Sequence, residues 1–332
     1  MIIPNKLNPG DEVRVIAPST SLAIMKQEDL EIAKGRFAEL GLKLSFSANA
    51  FVDNGGFSAS VEKKLSDLHQ AFADKNVKMV LCGVGGFNAI EMLPKIDYEL
   101  IRNNPKLFGG FSDISLLNLA ITRKTGMVTY HSPTFSNFAE VEGFDYTLEY
   151  FKATFFESEL ETIKILPSSQ WCNDPYYLGQ DGRRFEKNTG NYILQDGQAE
   201  GVLIGGNVST IRLLYGTDFM PQFGDKSLIL YIEDDSEVNK EFTMLEFNRN
   251  FESIILQPWF QRVKAILIGR FEKAGEVKLE ELKKTLLGKK LNLPIVANLD
   301  FGHTTPLFTL PVGLKAKLDT SKVEGILEIS LK

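Results

Sequence analysis

Cysteine and histidine are scarce in this sequence. Its 332 residues include two cysteines, Cys82 and Cys172, and three histidines, His69, His131 and His303. Two distant cysteines make no disulfide framework and fit a reducing, cytoplasmic compartment. No Cys/His pairing has zinc-ligand spacing, so no metal cofactor is expected. Chemistry that needs an imidazole has three places to look. Long apolar runs are also missing: no window approaches the roughly 18 residues that span a bilayer. The N-terminal stretch MIIPNKLNPGDEVRVIAPS has no basic region leading into an apolar run, so it does not read as a signal peptide. There is no basic block either, and the formal net charge is -6. That excludes a nucleic-acid backbone as the main partner, because phosphate binding needs a concentrated positive face.

What is present is a globular composition. Hydrophobic residues make up 43% and charged residues 24%, and the length suffices for two modest domains or one large one. Short apolar runs alternate with helical periods. Val13 to Ala17 reads as a strand ending in Pro18-Ser19-Thr20. Lys26 to Leu40 reads as a helix with Leu30, Ala33, Phe37 and Leu40 on one face and Gly41 at its stop. Met79 to Cys82 is a buried strand running into Gly83-Val84-Gly85-Gly86. Leu107 to Gly110 is another, followed by a helix from about Ile114 to Lys124, and Met127 to Tyr130 is the next. Such alternation makes parallel sheets, so the expected class is α/β. From about 156 to 200 periodicity is poor, and this stretch reads as a linker followed by a long loop. The pattern resumes with Gly205-Gly206-Asn207 before a helix, strands at Leu228–Ile232, Ala265–Ile268 and Pro294–Asn298, and a Thr/Pro-rich loop from Asp300 to Gly313. A hairpin closes the chain between Ala316 and Leu331. The expected units are an N-terminal α/β domain over 1–155, a linker and loop over 156–200, and a C-terminal α/β domain over 201–332.

Candidate groups collect at strand ends, where open α/β sheets bind ligands. Ser112, in Gly109-Gly110-Phe111-Ser112-Asp113, stands between a strand and a helix. A tight turn there lifts a hydroxyl out of the sheet and sets the next N–H at a helix N-terminus, which favours a developing oxyanion. The full G-x-S-x-G pattern is absent, and Ser112 or Asp113 can equally be a helix N-cap. His303, in Phe301-Gly302-His303-Thr304-Thr305-Pro306, is a candidate base, with His131 as its rival at another strand end; His69 reads as a surface residue. Glu233 ends the apolar run Leu228–Ile232 and can hold an imidazole in one tautomer, and Asp234 and Asp235 can do the same or bind a metal. Gly83-Val84-Gly85-Gly86-Phe87-Asn88 departs from a dinucleotide fingerprint at Asn88 and is read instead as a supply of backbone N–H groups for an anion.

The chain resembles the LD-carboxypeptidase family of serine peptidases, which includes muramoyl-tetrapeptide carboxypeptidases and microcin C self-immunity peptidases. The resemblance runs from Leu7-Asn8-Pro9-Gly10-Asp11 and Ala17-Pro18-Ser19 through Gly85-Gly86-Phe87-Asn88, Leu93-Pro94, Ile96-Asp97-Tyr98 and Asn104-Pro105-Lys106. It continues with Gly110-Phe111-Ser112-Asp113-Ile114, Gly205-Gly206-Asn207, Ile232-Glu233-Asp234, Gly302-His303 and Thr309-Leu310-Pro311-Val312-Gly313. The resemblance implies a flavodoxin-like N-terminal layer, a swivelling-type α/β C-terminal domain, and commonly a homodimer. It implies a Ser112-His303-Glu233 triad, an oxyanion hole from the N–H groups of Gly86 and Asp113, and no cofactor. Substrate contacts are expected from Gly85, Asn88, Trp171, Gly206 and Asn207. Asn88 and the long aromatic segment with Trp171, Arg183, Arg184, Asn188, Gly190 and Asn191 resemble the microcin-immunity branch, with Tyr176 and Tyr177 as possible loop aromatics and Tyr192 where a Trp is frequent. That branch implies a peptidyl- or aminoacyl-nucleotide substrate cut near a free carboxylate, with residues from about 171 to 191 as a wall of the site. The alternatives are release of terminal D-Ala from a murein tetrapeptide, a nucleotide-dependent enzyme using the 83–86 turn for phosphates, and a non-catalytic nucleotide or small-molecule binding protein.

Overall fold

The structure, a computed structural model, describes residues 1–55, 57–174, 179–235 and 240–332, with the side chains of 240 and 241 excepted. The first five strands are β1 (Glu12–Ile16), β2 (Lys43–Phe46), β3 (Val77–Cys82), β4 (Leu107–Gly110) and β5 (Thr129–His131). They pair in parallel in the order β2-β1-β3-β4-β5, the flavodoxin-like order. β3 and β4 are central and almost wholly buried, which is why they read as unbroken apolar or glycine runs rather than alternating ones.

The remaining strands are β6 (Thr162–Ile165), β7 (Gln170–Cys172), β8 (Phe185–Lys187), β9 (Tyr192–Gln195), β10 (Gln198–Asn207), β11 (Leu228–Glu233), β12 (Val263–Gly269), β13 (Ile295–Leu299), β14 (Leu310–Val312), β15 (Lys315–Asp319) and β16 (Leu327–Ser330). Eight of them form a second sheet in the order β6-β16-β15-β10-β11-β12-β13-β9. Its centre, β10 to β13, is parallel; its outer strands are antiparallel. The expected C-terminal hairpin is present as β15 and β16. The segment 156–200 differs from the linker and loop expected of it: β6 and β9 supply both edges of the second sheet, and β7 and β8 make a small hairpin.

The two sheets are fastened in two ways. The helix Ser115–Thr125 lies between them, with Leu116, Leu117, Leu119, Ala120 and Ile121 all fully buried. A helix covered on nearly all sides shows no polar face. It ends at Gly126, whose φ of +75° makes the left-handed C-terminal stop. One apolar cluster runs from Val80 and Phe108 through this helix to Ile204, Leu230 and Ile266. Each large side chain buried there contributes roughly 1.5–3 kcal/mol before its entropy cost. The second fastening is β14. It lies within the stretch expected as a Thr/Pro-rich loop, yet it crosses back and pairs antiparallel with β5, placing Leu310 opposite His131 and Val312 opposite Thr129.

Among the described residues no helix is long and apolar enough to cross a membrane. Without β14 the edge of β5 and one side of the 115–125 helix would face water, a template for aggregation. Residues 1–155 expressed alone should therefore be insoluble or bind a hydrophobic dye, and co-expression with 156–332 should restore a soluble complex. A monomeric 1–155 fragment that melts cooperatively would contradict this.

Candidate active site

The carboxyl ends of the parallel strands in both sheets converge. β3 and β4 deliver the Gly83–Gly86 and Phe111–Ser112 turns; β11 and β13 deliver Glu233 and the loop that carries His303. Ser112 has φ +62°, left-handed for a non-glycine residue and worth about 1–3 kcal/mol of local strain. Phe111 before it is extended. The turn after it is closed by Ile114 N–H donating to Phe111 O and Ser115 N–H donating to Ser112 O, and the chain then enters the 115–125 helix. Asp113 N–H thus stands at the head of the turn, where helix donors have no internal acceptor. Neither Ser112 nor Asp113 caps the helix with its side chain. The Asp113 carboxylate faces away from the cavity and accepts bonds from Ser19 Oγ at 2.6 Å and Ala89 N at 2.9 Å, bracing three loops together. The glycine turn comes so close to Ser112 that a Cβ on Gly85 would lie 2.8 Å from the Ser112 Cβ.

His303 joins the two halves. Its Nε2 is 3.1 Å from Ser112 Oγ, and its Nδ1 is 2.7 Å from Glu233 Oε2. Glu233 is fully buried at the end of β11. Gly302, with φ +103°, lets the loop lie on it: a Cβ there would be 2.9 Å from the Glu233 Cβ. Burial opposes a charge on His303, but the Glu233 charge and hydrogen bond, with Asp235 and Glu272 nearby, outweigh it and raise the imidazole above its ordinary range. The Asp235 carboxylate is 3.9 Å from His303 Nε2. The arrangement can accept a proton from the Ser112 hydroxyl and stabilise the resulting imidazolium.

The other candidates fall into different places. His131 is fully buried against Phe111, Tyr231 and Phe301, and burial, with the His303 charge, lowers it to about 3. It is a neutral core imidazole. His69 is half-buried and accepts Asp97 N–H at 2.9 Å. Asp234 is buried, and burial together with Asp235 and Glu233 raises its carboxyl to about 8. The Cys82 thiol is buried in the core and raised well above its ordinary range, first by burial, so it is no nucleophile at neutral pH.

A cavity of about 290 Å³ opens over Ser112 and His303. Gly85 and Gly86 line it as expected, with Ile24, Met25, Phe87 and Phe111 as its apolar side. Cys172, Asn173 and Asp174 form one wall, so the 171–191 segment does flank the site. Trp171 does not face it. In the strand β7 its side chain turns the other way, lining a neighbouring hollow with Tyr192 and packing under Arg270 and Lys273. Asn88 is outside the cavity and receives the buried Lys64 amine through its side-chain oxygen at 3.1 Å. Asn207 is buried behind the site: it caps the short helix Val208–Ile211, and its side-chain amide donates to Asp235 at 3.1 Å. Gly206 precedes it at the end of β10 and lies outside the cavity too. Tyr176 and Tyr177 lie outside the described residues. Arg183, expected within the segment that walls the site, is committed internally to Glu140 and Thr305. Glu140 has no place among the sequence candidates. Its signal is an acid within the aromatic stretch Phe135–Phe144, where a buried charge needs a partner.

Two models of known domains match the chain: the LD-carboxypeptidase N-terminal domain over residues 13–132 and the LD-carboxypeptidase C-terminal domain over residues 200–318. The chain belongs to the LD-carboxypeptidase family. As a family member it is a serine-type carboxypeptidase. A Bacillus subtilis (strain 168) protein named as a carboxypeptidase, YocD, is 42% identical over 97% of this chain and 96% of its own. The crystal structure of an MccF-like protein from Bacillus anthracis str. Ames superposes with a TM-score of 0.95 at 41% identity, covering 99% of each chain. The microcin C7 self-immunity protein MccF of Escherichia coli is 28% identical over 79% of this chain and 77% of its own. A structure of MccF in complex with aspartyl sulfamoyl adenosine shares the fold with a TM-score of 0.88 at 23% identity, over 99% of this chain and 98% of that one.

The state of Asp234 gives a test that is independent of turnover. Its folded value lies above the ordinary carboxylate value. The stability it contributes is therefore complete below about pH 4 and is lost as pH rises toward about 8. Asp234→Asn should flatten the dependence of Tm on pH between those limits and raise Tm at pH 8 relative to the parent. An unchanged slope would show that Asp234 is ionised in the folded protein.

Proposed function

We propose that Ser112 is the nucleophile, His303 its general base and Glu233 the group that orients and stabilises His303. The hydrogen-bonded series from Ser112 Oγ to His303 to Glu233 is the observation that carries this reading. Ser112 Oγ adds to the carbonyl carbon of an amide as its proton passes to His303 Nε2. The carbonyl oxygen takes the negative charge, which the N–H groups of Gly86 and Asp113 receive. The tetrahedral species collapses as His303 returns the proton to the leaving nitrogen, giving an acyl-enzyme and a free amine. Water, deprotonated by the same imidazole, then releases the acid and restores Ser112.

For the substrate, the reading is an aminoacyl- or peptidyl-nucleotide cut at an amide near a free carboxylate. It draws support from MccF, whose structure holds aspartyl sulfamoyl adenosine, and from the likeness of this chain to MccF-like proteins. Among the described residues the cavity lining carries the acids Asp29, Asp174 and Glu272.

Ser112→Ala and His303→Ala should each lower kcat on an aminoacyl sulfamoyl adenosine by about 10⁴–10⁶, without adding in the double variant. The base must be neutral to act, so kcat/KM should rise with pH along a limb above the ordinary imidazole value of about 6.5. Glu233→Gln should move that limb downward and reduce kcat by roughly 10²–10⁴. Retention of more than about a tenth of activity by Ser112→Ala would end the serine mechanism. Faster release of D-Ala from a murein tetrapeptide than cleavage of the nucleotide substrate would overturn the substrate class while leaving the triad.

A further inference from the structure

Two residues beyond His303, the loop is held by a buried latch. Arg183 Nη2 donates to Thr305 Oγ1 at 2.9 Å and to Glu140 Oε2 at 3.2 Å, and Thr305 Oγ1 donates to the same Glu140 oxygen at 2.6 Å. Glu140 Oε1 accepts from Asn137 Nδ2 at 3.1 Å. The Arg183 and Glu140 side chains are each 2% exposed. Three separate parts of the chain meet here: the turn Phe135–Ala139 and its following residue, the 170–187 hairpin, and the His303 loop. The hairpin adds a second tie, since Cys172 and Thr305 exchange two backbone hydrogen bonds of 2.8 and 3.0 Å. Arg183 Nε donates to Asp174 O at 3.1 Å, which fixes the guanidinium in the hairpin itself.

A buried ion pair is a poor source of stability compared with apolar packing of the same volume, because both ions lose their water. Its recognised use is to select one arrangement among several. The arrangement at stake is the placement of the imidazole. His303 and Thr305 line the same cavity, and the 3.1 Å approach to Ser112 leaves little room for a shift of the loop. A displacement of about 1 Å at a reacting group can cost roughly 10² in rate.

We propose that Thr305, gripped by Arg183 and Glu140, is a positioning residue that sets His303 against Ser112 and Glu233. It touches neither reacting atom and works through the loop. The inference rests on His303 acting as the base. It also assigns the 170–187 hairpin a part in turnover besides walling the cavity: it brings the guanidinium that holds the base loop.

Thr305→Val keeps the side-chain shape and the Arg183–Glu140 pair while deleting the hydroxyl between them. It should lower kcat by about 10–100-fold with KM nearly unchanged, on the nucleotide substrate and equally on a small activated acetyl ester that does not reach Thr305. The downfield proton resonance of the His303 Nδ1–Glu233 hydrogen bond should shift or broaden. Thr305→Ser, which restores the hydroxyl, should recover activity to within about threefold. Arg183→Lys, which keeps the charge but not the fork, should show the same kcat loss and the same resonance change, and it serves if Thr305→Val does not fold. A folded Thr305→Val with normal ester turnover and an unchanged resonance overturns the latch, provided His303→Ala is inactive in the same assay. A loss confined to the nucleotide substrate makes Thr305 a substrate contact and overturns it too. Activity retained by His303→Ala would remove the base itself, and with it the premise.

Discussion

The structure turns on a carboxylate shut away from bulk solvent. Glu233 closes β11 fully buried, and the His303 imidazole is the group that faces it. Removing a charge from solvent costs several kcal/mol, which only a well-placed opposite charge can offset. That demand fixes the imidazole by Nδ1 and leaves Nε2 directed at Ser112, and it raises the proton affinity of the ring. The same electrostatics that hold the acid in place favour the imidazolium that forms when serine gives up its proton. The glycine at 302 follows from this contact, since any side chain there would strike Glu233.

Because Ser112 belongs to the first sheet and Glu233 and His303 to the second, the series exists only if the sheets are locked in register. The lock is built from the buried helix Ser115–Thr125 and from β14, which leaves the C-terminal half to pair with β5. β14 follows the His303 loop within a few residues, and the 170–187 hairpin grips that loop from its other side. The imidazole is thus carried on a short span anchored at both ends to the opposite half of the molecule.

Much of this was legible in the sequence, and the reasons are physical. The parallel strands announce themselves because burial on both faces requires unbroken apolar runs, as in Leu228–Ile232. The turn at Ser112 is marked by the adjacent glycines and the helix that follows. β14 was hidden because it is three residues long with Pro311 at its centre, and only an edge strand tolerates a missing N–H. β6 and β9 were hidden by their brevity, four residues each at opposite edges of the second sheet. Trp171, expected at the cavity from the family resemblance, lies in the three-residue strand β7 and faces the neighbouring hollow, while Cys172 lines the cavity; poor periodicity over 156–200 gave no face to either residue. Asn88 and Asn207 sit at the right strand ends but spend their side chains on Lys64, Asp235 and a helix cap, which spacing alone does not reveal.

The central claim is that one serine, activated across the two sheets, attacks the substrate. Its most direct measurement is covalent capture with a fluorophosphonate, read by peptide mass and fragment spectra. The account predicts one adduct, on Ser112 and not on the neighbouring Ser115, formed more slowly in Glu233→Gln and absent in His303→Ala. An adduct elsewhere, or equal labelling after His303 is removed, would contradict it.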